Sequence, residues 1–379
     1  TLGFSYANAL VFVLLDGIIF VLLTATGLRK IIFDAIPHVV KAAIPAGIGL
    51  FIAFLGLQDA KLVIPSESTG VTLASFNLLG GAGWGAVMPL IVAVFSLLLI
   101  AVLSHKKVKG SILWGILGGT GLYYILGFTV KDFYKGFAET LSFNPFKPFS
   151  AFASEAFGKV FTEGFDFSAY LSADGHSVGG LVILFITTAL AFCMVDMFDT
   201  LGTLYGACRG GNLLVKNDKG ELEVPNMDRA MMADAVATCT GSVLGTSTVT
   251  TFVESSAGVA AGGKTGVTSL VTAAAFAVAL FFAPIAKLIP PYAYGAALIY
   301  VGVLMIGSVK DIDWKDVSVS VPAFLTIAMM PFTYNISYGI AFGLFSYVII
   351  KAFCGEIKQI KIGTWVVTAL FIAMFFLTH

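Results

Sequence analysis

The sequence is poor in charge. Its 379 residues include 22 Lys and Arg and 22 Asp and Glu, so charged residues make up 12% of the chain, about half of the roughly 25% typical of soluble domains. The two signs cancel to a net charge of zero, which argues against the basic surface that a nucleic-acid partner requires. Hydrophobic residues account for 58%. We therefore predict an all-α polytopic protein of the cell (cytoplasmic) membrane, surrounded by lipid.

Cysteine is also scarce. The chain has no CxxC pair, and its four cysteines are scattered: Cys193, Cys208, Cys239 and Cys354. This pattern predicts neither a disulfide framework nor a zinc site. The HExxH motif of metalloproteases is absent as well. We accordingly predict a protein that is not an enzyme and that binds no metal and no organic cofactor.

Apolar runs that approach the length of a membrane span recur along the chain. A helix needs about 20 apolar residues to cross the hydrocarbon core, so the shorter runs must be tilted, broken or packed inside. We predict the segments 7–28, 44–57, 85–103, 111–128, 178–207, 230–244, 245–262, 267–288, 294–306, 317–334, 338–353 and 365–377.

Basic residues mark alternate loops and predict the orientation. They follow the first, third and fifth spans and precede residue 317: Arg29, Lys30, Lys41, His105, Lys106, Lys107, Lys109, Arg209, Lys216, Lys219, Arg229, Lys310 and Lys315. If these loops are cytoplasmic, as the positive-inside rule requires, the alternation holds provided that 245–262 is one crossing. Residues 129–177, rich in Phe and mixed in charge, then form an amphipathic loop on the outer side.

A weak internal repeat is visible. The dipeptide Ile36-Pro37 precedes Gly49 by the interval that separates Ile289-Pro290 from Gly302. Transporters are often built from inverted repeats, with the binding site at the midplane on interrupted helices. More spans precede the motif in the second copy than in the first, and the chain opens at Thr1 without a Met. We therefore expect about three further spans at the start of the natural protein.

Three carboxylates lie inside segments that otherwise look membrane-buried: Asp196 and Asp199 in DMFDTLGT, and Glu254 in TTFVESSAG. Ionisable groups at this depth are costly and usually lie on a substrate or ion pathway. The run GTSTVTT before Glu254 is β-branched and hydroxylated, which predicts a broken span in place of a continuous helix. Asp196 and Asp199 share a helix face, and two neighbouring carboxylates in a low dielectric are suited to hold a proton.

Two other acidic residues and one motif have simpler explanations. For Asp16 and Asp234 we expect pairing with neighbouring spans, although either could face the transport pathway. Residues 258–265 match the phosphate-binding pattern GxxxxGK[ST], but that motif needs a core strand before it and a soluble helix after it. An apolar span follows here, so we expect Lys264 to mark a cytoplasmic helix end and no nucleotide to bind.

At these residues the chain resembles the AzgA-like (azaguanine-type) purine permeases of the nucleobase–ascorbate transporter superfamily. The matching stretches cover nearly the whole chain: GLRKIIFDAIPHVVKAAIPAGIGLFIAFLGLQDA, VDMFDTLGTLYG, NMDRAMMADAVAT, LGTSTVTTFVESSAGVAAGGKTG and VPAFLTIAMMPFTYNISYGIAFG. The glycine-rich motif of the family's third segment has no counterpart. In the family that segment supplies the strand that faces 246–250, so we expect that the chain as given does not transport by itself.

The resemblance implies an inverted seven-plus-seven segment repeat, with core and gate domains and short strands at the broken helices. About the first three segments would be absent from this chain. Core parts would be 1–30 and 178–288, gate parts 31–128 and 289–353, followed by a hydrophobic segment 354–379 after the loop 129–177. It further implies proton-coupled import of adenine, guanine, hypoxanthine or xanthine, with a homodimer as one form of assembly.

By the same resemblance Glu254 is the substrate-binding glutamate of the tenth segment. Asp199 and Asp196 are the acidic positions of the eighth, and 246–250 is the short strand of the tenth. The predicted substrate-binding residues are Glu254, Asp199, Asp196, Thr248, Thr250, Phe252 and Thr203. One alternative is a uracil/xanthine-type permease, but that branch has a Gln-Glu-Asn-like motif where this chain has Val-Glu-Ser. Another is an anion exchanger or channel of the same architecture, which the three acids disfavour.

Single cysteines placed in a variant without native cysteines test the orientation. Positions in 105–109 and 209–219 should be protected from a membrane-impermeant maleimide in intact cells, whereas positions in 132–174 should be labelled. Permeabilised cells, in which all positions should react, are the control. Labelling of 132–174 from the same side as 105–109 would contradict both the orientation and the inverted repeat.

Overall fold

The computed structural model describes residues 4–78, 83–130, 147–171, 178–216, 222–252, 254–282 and 286–378. These residues are mostly helical, and their strands are confined to two short antiparallel hairpins. Five helices are long and apolar enough to cross a membrane: Tyr6–Ala25, His38–Asp59, Trp84–His105, Pro291–Lys310 and Ile336–Phe353. The predicted helical membrane protein is thereby confirmed.

The helices, in chain order, are α1 Tyr6–Ala25, α2 Leu28–Ala35, α3 His38–Asp59, α4 Trp84–His105, α5 Ser111–Gly127, α6 Lys147–Ala151, α7 Lys159–Thr162, α8 Ser168–Leu171, α9 Val178–Gly210, α10 Met227–Leu244, α11 Ser255–Ala260, α12 Gly266–Phe281, α13 Pro291–Ile306, α14 Val317–Thr333, α15 Ile336–Phe353 and α16 Ile362–Thr378. The hairpins are β1 Val63–Ser66 with β2 Gly70–Leu73, and β3 Val215–Lys216 with β4 Leu222–Glu223. Much of the predicted loop 129–177 (131–146 and 172–177) lies outside the described residues, as does Lys219.

Polar side chains set the ends of several helices. The Ser5 hydroxyl accepts from the Asn8 backbone N–H, and the Asn8 side chain accepts from the Ser5 N–H, which together form a capping box at the start of α1. Asn335 caps α15 by accepting from the N–H groups of Ser337 and Tyr338. These contacts satisfy donors that the first helical turn leaves without intrahelical acceptors.

The chain forms two compact units. The first comprises Thr1–Ile48, Ala151–Ser255 and Gly307–His379, and the second comprises Gly49–Ser150 and Ser256–Ile306. All of the predicted site residues belong to the first unit, in which α1 lies against both α9 and α10, and α2 lies against α16. The functional division into core and gate domains stays a prediction.

Helices α3 and α13 approach each other very closely in the second unit. A Cβ atom on Gly302 would lie 2.4 Å from the carbonyl oxygen of Gly49, and one on Gly49 would lie 2.9 Å from that of Gly302. Two helical turns further along α3, a Cβ on Gly56 would lie 2.5 Å from the carbonyl oxygen of Gly295. Small residues at such crossings allow helix backbones to pack directly against each other in a membrane.

Gly49 and Gly302 are also the glycines that the sequence repeat matches. Equivalent residues that lie close to a two-fold axis contact each other. Under the same correspondence, the second glycine contact is equivalent to a contact between Ala42 and Val309, and Val309 does pack against the apolar cluster that contains Ala42. These contacts are compatible with the inverted repeat, which remains a prediction.

The substitution Gly302→Ala should therefore destabilise the protein, because its Cβ can be accommodated only if α3 and α13 separate. Overpacking of this kind costs about 1–3 kcal/mol, so the melting temperature in detergent should fall. Gly121→Ala on α5 is the matched control, since no heavy atom lies within 4 Å of the added Cβ and alanine favours a helix. Equal melting temperatures for the two variants would contradict the close crossing.

Candidate functional site

A buried ion pair joins α2 to α10. Gly27, with φ 73°, lets the chain turn from α1 into α2, and Arg29 on α2 is wholly buried. Its guanidinium lies 3.3 Å from Oδ2 of Asp234 and donates to the carbonyl oxygen of Met231 at 3.1 Å. The same group stacks over the ring of Phe20 at 4.3 Å. The first unit thus places a charged group, with its partners, among apolar helices.

Asp234 has a second partner on α9. The hydroxyl of Thr200 lies 3.2 Å from its Oδ1 and 3.1 Å from its Oδ2, so this carboxylate links α2, α9 and α10. The expected pairing of Asp234 with a neighbouring span is confirmed. Arg29, which was counted above among the loop charges, lies instead on α2 with its side chain turned inward to Asp234.

Two further carboxyls lie near this ion pair without cationic partners of their own. Asp16 on α1 and Asp196 on α9 are both buried, and they lie within reach of a mutual side-chain hydrogen bond. No other described group donates a hydrogen bond to either of them. Asp16 therefore has a neighbouring span as its partner, as expected, but the partner side chain is another acid, Asp196.

Asp199 lies one helical turn beyond Asp196 and is half-buried. It interacts electrostatically with Asp234 and with Glu254, and its Oδ1 has no hydrogen-bond partner in the described part of the chain. Asp199 and Glu254, which are far apart in sequence, therefore lie within electrostatic range of each other. Two acceptors in one region are suited to a ligand that carries several N–H donors.

The predicted break in the helix is present. Helix α10 ends at Leu244, where Gly245 takes a φ of 82°, and the next helix begins at Ser255. Residues 246–250 are non-helical, as predicted, and the regular strands of the described chain lie in the two hairpins instead. Gly241 permits this fold-back, because a Cβ there would lie 2.6 Å from Val249.

The side chain of Thr238 holds the broken segment in place. Its hydroxyl donates to the carbonyl oxygen of Val249 at 3.0 Å and accepts from the N–H of Val249 at 3.3 Å. Both backbone polar groups of Val249 are therefore satisfied by one hydroxyl on α10. Backbone that leaves a helix at membrane depth needs such partners.

Comparison with known proteins assigns this architecture to a family. The permease family model (Xan_ur_permease) matches residues 1–342. The chain belongs to this permease family. Similar relatives are the guanine/hypoxanthine permeases PbuO and PbuG of Bacillus subtilis and the adenine permease AdeQ of Escherichia coli. They are 37%, 34% and 31% identical to this chain over 99%, 97% and 98% of its length, and over 79%, 76% and 74% of their own.

Family membership makes this permease a multi-pass membrane transporter and not an enzyme, as predicted. Residues 175–179 read GHSVG, which matches the GxSxG pattern of hydrolases. Residues 172–177 lie outside the described part of the chain, and membership of the permease family makes the match incidental. Among the described residues no group of His, Cys, Asp and Glu could hold a metal ion.

The permease's predicted binding residues occupy different environments. Glu254 is exposed, as is Phe252 with 64% of its surface accessible, while Thr248 and Thr250 are half-buried. Thr203 is buried and donates to carbonyl oxygens of its own helix. Its hydroxyl therefore already has acceptors, and its role in substrate binding stays a prediction.

Sequence reasoning missed three side chains that organise this region. Arg29 was counted as a loop charge, and Thr200 and Thr238 drew no attention, because buried threonines are common in membrane helices that hydrogen-bond across an interface. A signal existed for Arg29 alone, since it lies in the amphipathic stretch GLRKIIFDAIP. Its partner, Asp234, could not be identified without the packing of α2 on α10.

Variants of the ion pair test its structural weight. Arg29→Met and Asp234→Leu should each destabilise the permease strongly, because removing one partner of a buried pair costs about 3–5 kcal/mol, whereas the double variant should recover much of this loss. Thermal unfolding in detergent is the measurement, with exposed Lys30→Met as the control. If the double variant loses as much stability as the two single variants together, the two side chains do not interact.

Proposed function

We propose that this permease imports purine nucleobases in symport with protons. The main support is a break in the helical structure of a transporter, between Leu244 and Ser255, with Glu254 at its end and Asp199 within electrostatic range of that glutamate. The purine class is supported by the guanine/hypoxanthine and adenine permeases among the similar proteins. Because these relatives carry different bases, we propose the purine class and no single base.

Glu254 would accept hydrogen bonds from adjacent N–H groups on one edge of the base. A carboxylate can accept two such bonds, and charged acceptors form stronger bonds than neutral ones. Phe252 would offer its exposed ring face for stacking on the base. Thr248, Thr250 and the non-helical backbone around them would supply further polar groups at the same place.

Proton coupling would use the carboxyls on α9. Protonation of Asp196 or Asp199 removes a charge and thereby lowers the free-energy cost of keeping the site away from water. A loaded site without its proton would carry an additional buried charge. This difference favours joint movement of base and proton.

Access to the site would alternate between the two sides of the membrane by movement of the core domain against the gate domain. Transporters with inverted repeats commonly work in this way. A homodimer, one form of assembly considered for this chain, would be compatible with such movement.

Glu254→Gln tests the binding role of the carboxylate. The variant keeps the size of the side chain but replaces charge-assisted hydrogen bonds by neutral ones, a loss of about 1 kcal/mol per bond. Two bonds therefore imply roughly tenfold or greater weakening of purine binding. Equilibrium binding of radiolabelled hypoxanthine and adenine to the purified full-length permease is the measurement.

The matched control is Glu67→Gln, which alters an exposed glutamate in the turn between β1 and β2 and should leave purine binding unchanged. Competition of uptake by adenine, guanine, hypoxanthine, xanthine and uracil defines the substrate class. Uracil as the single effective competitor would favour the pyrimidine branch. Unaltered purine binding in Glu254→Gln would place the binding site elsewhere.

A further inference from the structure

Asp16 is a buried acid to which the proposed function gives no role. Asp16 on α1 is 0% exposed and Asp196 on α9 is 4% exposed. The two carboxyls lie within reach of one side-chain hydrogen bond, and neither oxygen of either carboxyl has another hydrogen-bond partner among the described residues. Four buried oxygen atoms thus lie together without a donor between them.

The charges around this carboxyl pair do not neutralise it. The titratable and charged groups that face it lie on α2, α9 and α10, and they are Arg29, Cys193, Asp199, Asp234 and Cys239. Arg29 is the one wholly buried cation among the described residues. Its guanidinium already forms the ion pair with Asp234.

A single proton resolves this arrangement. An ionised carboxylate can only accept hydrogen bonds, whereas a protonated carboxyl can also donate one. With one proton, the pair forms an O–H···O bond and carries one negative charge in place of two. Without that proton, two like charges lie side by side away from water, which is strongly unfavourable.

We propose that Asp16 and Asp196 share one proton and form the proton-carrying site of the permease, distinct from the base-accepting Glu254. This inference rests on the proposed proton symport. The proton comes from water on one side of the membrane, forms an O–H bond to one carboxylate of the pair, and leaves to water on the other side when that bond breaks. No electrons are transferred and no further reactant is needed.

The carboxyl pair is also placed to influence the base. Asp196 interacts electrostatically with Asp199, and Asp199 interacts with Glu254. Loss of the shared proton therefore adds negative charge to a series of acidic groups that ends at the base-accepting carboxylate. Proton occupancy and base binding are thus coupled through charge.

Transport by the full-length permease in proteoliposomes separates the two sites. Asp16→Asn should reduce purine accumulation driven by an inward proton gradient by roughly tenfold or more, and uptake should lose most of its pH dependence. Equilibrium binding of the same purine should change only a few-fold, in contrast to Glu254→Gln. Asp34→Asn, at an exposed aspartate on α2, is the control and should behave as the wild type in every assay.

Infrared spectroscopy examines the shared proton directly. The wild type should show the C=O absorption of a buried protonated carboxyl. That band should disappear in Asp16→Asn and in Asp196→Asn, shift in Asp16→Glu, and persist in Asp34→Asn. If Asp16→Asn does not fold, the test uses the wild-type band and its shift in Asp16→Glu, because the glutamate retains a carboxyl at this position.

The results distinguish this inference from the proposed function. A wild type that accumulates no purine refutes the proposed function, while the infrared band still reports on the carboxyl pair. A wild type that does accumulate purine, with an Asp16→Asn variant of unchanged pH dependence, overturns the carboxyl pair as the proton site. Absence of the wild-type band, or its persistence in both Asn variants, overturns it as well.

Discussion

The free-energy cost of burying charge governs the site-bearing part of this permease. A single buried arginine, Arg29, is surrounded by more carboxyls than it can neutralise. Its ion pair with Asp234 fixes α2 against α10, and the hydroxyl of Thr200 adds α9 to the same contact. Helices that carry otherwise apolar surfaces are therefore held in one relative arrangement by a polar centre. Buried ion pairs contribute little net stability, but removal of one partner strongly destabilises the protein.

The second constraint is the backbone of the broken segment. A chain that leaves the helix at membrane depth exposes N–H and C=O groups, which must find partners within the protein. Gly245 allows the turn by its positive φ, and Thr238 satisfies both polar groups of Val249. The end of α10 is further tied down because Tyr6 on α1 donates to the carbonyl oxygen of Gly245. The segment that precedes Glu254 is thereby held by side chains from α1 and α10.

The other unit depends on direct backbone contact. Gly49 and Gly302 meet where a side chain could not fit, so α3 and α13 cross with very little space between them. Such a crossing resists change, because even one methyl group would force the helices apart. The polar, incompletely paired surroundings of Asp16, Asp196 and Asp199 contrast with this dense packing. Polar groups without fixed partners are suited to a change of protonation, whereas glycine contacts are suited to a rigid frame.

Properties of single segments were accessible from the sequence. Apolar length predicted the helices, the β-branched and glycine-flanked run at 245–250 predicted the break, and membrane-buried acids pointed to Asp196, Asp199 and Glu254. Each of these depends on residues close together in the chain. The tertiary structure alone decided that Arg29 turns inward to Asp234, that Thr238 holds Val249, and that Asp16 lies beside Asp196. These pairings join residues on different helices. The composition and spacing of one segment do not indicate which distant side chain will lie opposite a buried charge, because that depends on how the helices pack.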